Sequence, residues 1–229
     1  METPGDNNDR RLRDNGLTFF GSITASVTHE LNNVMSIIEQ MAGLLDDLCA
    51  GAEYGRPIEN DKLREISEKI IKQIERGVGI IKRLNVFAHS VDDPVKEFEL
   101  DALVKNLVEL CQRFATLKRV QVEGQYPAEA MVIRSNPFVL EQAVFICIDL
   151  ALSFSERDEL VTVAIGDQDP GAFVAVTGPS IPENEGTLSK RSLLKALMDQ
   201  LHGEVQVESD EGRSTFKLSI PHFTEEVTS

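Results

Sequence analysis

The sequence predicts an α-helical hairpin that pairs with a second copy into a dimeric four-helix bundle, followed by an α+β sandwich in which helices cover one face of a mixed sheet. Three observations predict it. Apolar residues recur at steps of three and four through two long consecutive segments. The cluster Asp92-Asp93-Pro94 then ends the helical pattern. Beyond it, short apolar strands bounded by turn residues alternate with helices.

Residues 1–16 are polar and charged without a period, and are expected to be a frayed, disordered terminus. From Leu17 to about Ala50, Phe20, Ile23, Val27, Leu31, Val34, Ile38, Met41, Leu45 and Leu48 trace a narrow apolar seam. A helix of about 34 residues is roughly 50 Å long, too long for one small core, so it needs other long helices beside it. Ile23, Val27 and Leu31 step by four and four, a local break in the alternation that changes the coiling around His29. Gly51, Gly55 and Pro57 turn the chain, and Asn60 caps a second helix running to about Ser90. Its apolar face carries Leu63, Ile66, Ile70, Ile74, Val78, Ile81 and Leu84, interrupted by Gly77 and Gly79, each costing about 1 kcal/mol relative to alanine. Two helices cannot cover both seams, and a homodimer solves this.

In the second region, 96–100 is an extended entry and 101–117 a helix with Leu103, Leu107, Leu110 and Phe114 on one face. Strands follow at 120–124 and 130–135. Asn136-Pro137 then opens a helix reaching about Ser155. Strands at 160–166 and 171–177 flank a turn. Ser189 is the expected cap of a helix that ends near His202, with Gly203 as its stop. A final hairpin spans 204–209 and 214–220 across Asp210-Glu211-Gly212.

Composition excludes several classes. The chain has 229 residues, 41% of them apolar, so it can bury a core. Its net charge of −15 argues against a nucleic-acid partner, which needs clustered Lys and Arg. No apolar run approaches the roughly 20 residues of a membrane span, and the opening Met-Glu-Thr-Pro-Gly lacks the basic start of a secretory signal. Cys49, Cys111 and Cys147 show neither disulfide nor metal-ligand spacing, so no metal site is expected and a reducing cytoplasm fits.

The chemistry concentrates in Ser26-Val27-Thr28-His29-Glu30-Leu31-Asn32-Asn33. Val27 and Leu31, both in the seam, flank His29 by two residues each, which turns the imidazole towards solvent. Asn33, four residues on, shares its face, and Glu30 lies about 100° round the helix. One histidine beside one acid is also what an ordinary solvated helix surface carries.

The segment His29-Glu30-Leu31-Asn32-Asn33 resembles the phosphoacceptor box of sensor histidine kinases, midway along the first helix of a hairpin. The similarity runs from about Phe19 to Pro221. It implies that 17–91 is the dimerisation and phosphotransfer hairpin and 95–223 the ATP-binding domain. It further implies that His29 carries the phosphoryl group, that Glu30 assists proton transfer, and that Asn33 positions water or the phosphoryl group. The ATP-binding half resembles the family in layout but departs from it in its working residues. Leu140-Glu141-Gln142-Ala143-Val144-Phe145 matches the start of the asparagine-bearing helix, yet Ile146 and Leu150 stand where the family has asparagines. Val176 replaces the adenine-reading aspartate and Ser180 a glycine, leaving Gly178-Pro179 as a surviving turn. Asp149 faces away from the place of the lost asparagine. The glycine-rich lid between Glu183 and Leu194 keeps only Gly186. The final hairpin still matches at 201–205 and 214–216.

An intact acceptor beside a degenerate nucleotide domain resembles the kinase-like histidine phosphotransferases. The implied activity relays phosphate between response-regulator receiver domains, with no cofactor bound by this chain and Mg²⁺ held at the receiver's own acidic site. Phe19, Ile23 and Val34, where not buried, would join the docking patch. Alternatives are a phosphatase of a phosphorylated response regulator using Glu30 and Asn33, an atypical autophosphorylating kinase, and a non-catalytic dimeric scaffold. His89, His202 and His222, and the acidic pairs at 92–93 and 225–226, are read as solvated or dipole-complementing groups without a site role.

Overall fold

The computed structural model describes residues 4–169 and 171–221. The chain divides into two compact units. One is Thr24–Val86. The other joins the chain up to Ile23 with the chain from Phe87 onward. The division thus falls earlier than the expected boundary at 91–95 and leaves the first part of the first helix with the sheet-containing unit.

The hairpin unit consists of most of α1 (Pro4–Glu53) and nearly all of α2 (Asn60–Ala88). Val27 and Val34 of α1 and Ile66 and Ile80 of α2 are buried, all at 3% exposure or less. Gly77 is buried among them because the helices come close. A Cβ there would stand 3.3 Å from Val34 Cγ1, so the glycine serves helix approach as well as weakening the helix. The single apolar face expected on α2 divides in two. Ile66, Gly77 and Ile80 turn inward, whereas Ile71, Ile74, Val78 and Ile81 form a second stripe at steps of three, four and three, each 45–54% exposed. The expected apolar face thus comprises an inner stripe and an outer one, and Ile74, Val78 and Ile81 belong to the outer. The period of 3.6 residues spreads two stripes over a helix that was read as carrying one.

In the other unit, α1 is helical from Pro4, which corrects the expectation of a frayed terminus over the described part of residues 1–16. Its anchors are sparse and interspersed with charge, so no period stands out. Gly16 is buried beside Phe138, and Phe19 packs against Phe87, Phe138 and Phe145 with ring centroids 5.3, 5.6 and 4.9 Å away.

A 3₁₀ turn at His89–Val91 leads to β1 (Lys96–Glu99), α3 (Leu100–Lys118), β2 (Gln121–Gln125), β3 (Val132–Ser135), α4 (Pro137–Phe154), β4 (Leu160–Gln168), β5 (Gly171–Pro179), α5 (Glu185–Gln200), β6 (Glu204–Asp210) and β7 (Arg213–Pro221). Strands β1 and β3 pair antiparallel, and the main sheet runs β2-β4-β5-β7-β6. Only β2–β4 is parallel, so the sheet is mixed as expected. Alternate residues of the central strands are buried, with Val163 opposite Val176 and Val176 opposite Phe216. The helices α3, α4 and α5 supply the other half of the core.

Asn136 caps α4, its Oδ1 accepting the Val139 N–H at 3.1 Å, with Pro137 in the first turn. This helix is long and apolar enough to span a membrane by length and composition, yet two-thirds of it is buried in the unit's core. The expected cap at Ser189 is corrected. Asn184 and Thr187 form a reciprocal capping box at 2.9 and 3.0 Å, which starts α5 five residues earlier. At its end His202, not Gly203, takes the left-handed conformation, with φ of 52°. Gly203 is required by space, since a Cβ would lie 2.4 Å from the Ser219 carbonyl oxygen.

Glu141, on α4, is 1% exposed and neither carboxyl oxygen has a hydrogen-bond partner. The neighbouring Ser90 hydroxyl donates to the Phe87 carbonyl at 2.8 Å. Burial pushes the Glu141 carboxyl up to about 8, against weaker opposing pulls from Ser90 and Lys96. The folded state therefore holds a proton that the unfolded chain releases above the ordinary carboxylate range. Stability falls as pH rises from about 4.5 to about 8, by up to about 1.4 kcal/mol per unit. The melting temperature is expected to drop across that window in the native protein and to stay nearly flat in Glu141→Gln, as thermal denaturation at pH 5, 6.5 and 8 would show.

Candidate functional site

His29 stands where the helix period puts it. Val27 is 3% exposed and Leu31 is half-buried, so the seam residues on either side fix the rotation of α1 and leave the imidazole in solvent. It makes no hydrogen bond or ion pair among the described residues. Asn33 is exposed one turn further on. Thr28, beside His29, is occupied locally, its hydroxyl donating to the Thr24 carbonyl at 2.8 Å.

Glu30 is set differently. Its side chain is 22% exposed, and Oε2 lies 3.7 Å from Nη2 of Arg76 on α2. The hairpin thus brings a guanidinium to the acid next to His29. Arg76 was absent from the expected site, since one arginine in a charged amphipathic helix carries no motif or period. Only the pairing of α1 with α2 reveals it. The expected docking patch is corrected. Phe19, Ile23 and Val34 are at most 4% exposed and serve the core. The exposed apolar side chain on this stretch of the hairpin's first helix is Met35, at 62%.

In the other unit, the positions at which the resemblance places nucleotide-reading groups are sealed. Leu150 is 1% and Val176 0% exposed, and Ile146 is 8% exposed. Asp149 is taken by Lys190 across α4 and α5, Oδ2 to Nζ at 2.5 Å. The segment where a flexible lid was expected is the start of α5, fixed by its capping box. Gly178 and Pro179 are no turn. They lie in β5, with Gly178 paired to Ser214 of β7. The glycine has a packing reason, because a Cβ would sit 2.7 Å from the Ala151 Cβ of α4. Among the described residues no group of His, Cys, Asp and Glu is arranged to hold a metal ion. Cys111 and Cys147 are buried, and desolvation raises both thiols far above the reactive range.

A helical hairpin carrying a solvent-facing histidine, followed by a mixed sheet covered by helices, is the fold of sensor histidine kinases. No family model matches it. Its relatives include the sensor histidine kinase ZraS of Escherichia coli K12, 21% identical over 231 residues that cover 93% of this chain and 48% of the relative. Sporulation kinase B of Bacillus subtilis 168 is 24% identical over 128 residues, 56% of this chain and 28% of that protein. The chain therefore spans about half or less of these relatives. Among solved structures, the nucleotide-free catalytic domain of histidine kinase ThkA aligns with a TM-score of 0.52 at 19% identity, over 57% of this chain and 99% of that domain. ThkA in complex with the response regulator TrrA aligns with a TM-score of 0.51 at 17% identity, over 96% of this chain and 66% of that one. The homologues and structural neighbours are sensor histidine kinases, and the helical hairpin and ATPase-like fold are theirs.

An aspartate placed where the resemblance puts the adenine-reading group should cost stability. Val176→Asp places a carboxylate at a 0% exposed position between Val163 and Phe216. A loss of about 3 kcal/mol or more is expected in chemical denaturation, with no ATP-dependent shift of the midpoint.

Proposed function

We propose that this chain is a histidine phosphotransfer protein of a two-component phosphorelay, accepting phosphate on His29 from a receiver aspartate and passing it to another receiver. The observation that supports this is the contrast between the two units: His29 is exposed, whereas Leu150 and Val176 are buried apolar side chains where the resemblance places nucleotide-reading groups. In-line transfer needs a nucleophile free in solvent, positioning groups and stabilised charge. The imidazole of His29 is the nucleophile, attacking phosphorus as the aspartyl oxygen leaves. Glu30 takes up or returns the ring proton, and Arg76, beside it, adds positive charge near the transferred oxygens. No ATP is bound, the magnesium belongs to the receiver, and the protein works in the cytoplasm. The response regulator seen with ThkA supports a receiver domain as the partner class.

Asn33, exposed on the face of His29, also supports a second reading in which it orients water against a receiver's phospho-aspartate. One assay separates the readings. On incubation with a ³²P-phosphorylated receiver and Mg²⁺, label is expected on this chain, lost in His29→Ala and retained in Asn33→Ala. Release of free phosphate that survives His29→Ala and fails in Asn33→Ala would favour the phosphatase. Label acquired from ATP and Mg²⁺ would overturn the relay.

A second copy completes the bundle. Ile71, Ile74, Val78 and Ile81 are about half exposed along one stripe, an arrangement that each copy can bury on the other. Burying such side chains contributes about 1.5–3 kcal/mol each when complete. The double variant Ile74→Glu/Ile81→Glu is expected to halve the mass measured by light scattering, from two chains to one of 25.4 kDa.

A further inference from the structure

We infer that the sheet-containing unit binds an anionic amphiphile, a medium-chain carboxylate in class, in a cavity unconnected with nucleotide chemistry. The cavity has a volume of about 610 Å³ and lies between the first part of α1 and the helices α4 and α5. That size is in the range of small-molecule sites, which are mostly apolar with a few converging polar groups. Phe20, Phe138 and Val139 are among its apolar walls, and Leu17 stands at it with 72% exposure.

Two polar features set the ligand class. Arg13 is the one charged residue among those lining the cavity, and it makes no ion pair among the described residues. In a chain of net charge −15, an unpaired guanidinium beside an apolar cavity is a local site for a carboxylate, which it can hold through two parallel hydrogen bonds. Gln142 is 3% exposed, lines the same cavity and has an Nε2 without a hydrogen-bond partner. A buried amide group left unpaired is costly, and a ligand oxygen would satisfy it. An alkyl chain fits the aromatic and aliphatic walls, and a terminal carboxylate meets Arg13.

The test is isothermal titration of the full chain with dodecanoate below its micellar concentration, alongside uncharged dodecanol. Saturable binding of one dodecanoate per chain is expected. Arg13→Glu should weaken it at least tenfold, and Val139→Trp, which fills the cavity, should abolish it. Both positions are at least partly exposed, and unchanged circular dichroism and melting would show that each variant folds. Equal affinity for dodecanol would overturn the anionic head group. Absence of saturable binding, or binding indifferent to both substitutions, would overturn the site. If Val139→Trp instead converts a dimer to a monomer and dodecanoate does not bind, a second copy fills the cavity and the inference is wrong.

Discussion

Burial of Val27 and Val34 against α2 sets the rotation of α1, and that rotation decides what His29 can meet. A helix offers no independent control of neighbouring side chains. With Val27 and Leu31 committed to the seam, His29, two residues from each, is committed outward. The same rotation places Glu30 at the margin, where Arg76 reaches it, and Asn33 in water. Chemistry at this site is therefore coupled to packing. A slip of α1 by two residues would carry the imidazole to the place of Val27, which is 3% exposed.

The sheet-containing unit holds its fold through apolar packing. Its core rests on alternation along the central strands and on the apolar face of α4, and these require only hydrophobic residues of suitable size. Valine at 176 and leucine at 150 meet that requirement better than the polar groups of a nucleotide site, because they leave nothing to satisfy. Lys190, paired with Asp149, and the Asn184–Thr187 box tie the start of α5 to the scaffold.

Much of this was legible in the sequence. The two-seam hairpin, the Asn136-Pro137 helix start and the strand order of the last hairpin follow from period and capping, which are local properties. His29, Glu30 and Asn33 were legible as a motif, and the orientation of His29 followed from its seam neighbours. Three features were not. Ile74, Val78 and Ile81 satisfy either of two adjacent stripes, and only the neighbour distinguishes them. Asn184 was passed over because Ser189 is an equally good cap in isolation. Arg76 matters only through a residue 46 positions away in the chain.

Gly178 carries a broader lesson. Its surroundings explain why a glycine stands there: α4 passes so close to β5 that a methyl group would collide with Ala151. A glycine fixed by the backbone's clearance in this way is mute about catalysis. Glycines are therefore the poorest witnesses when a degenerate enzyme is judged active or inactive, and side chains that once touched the lost molecule are the better ones.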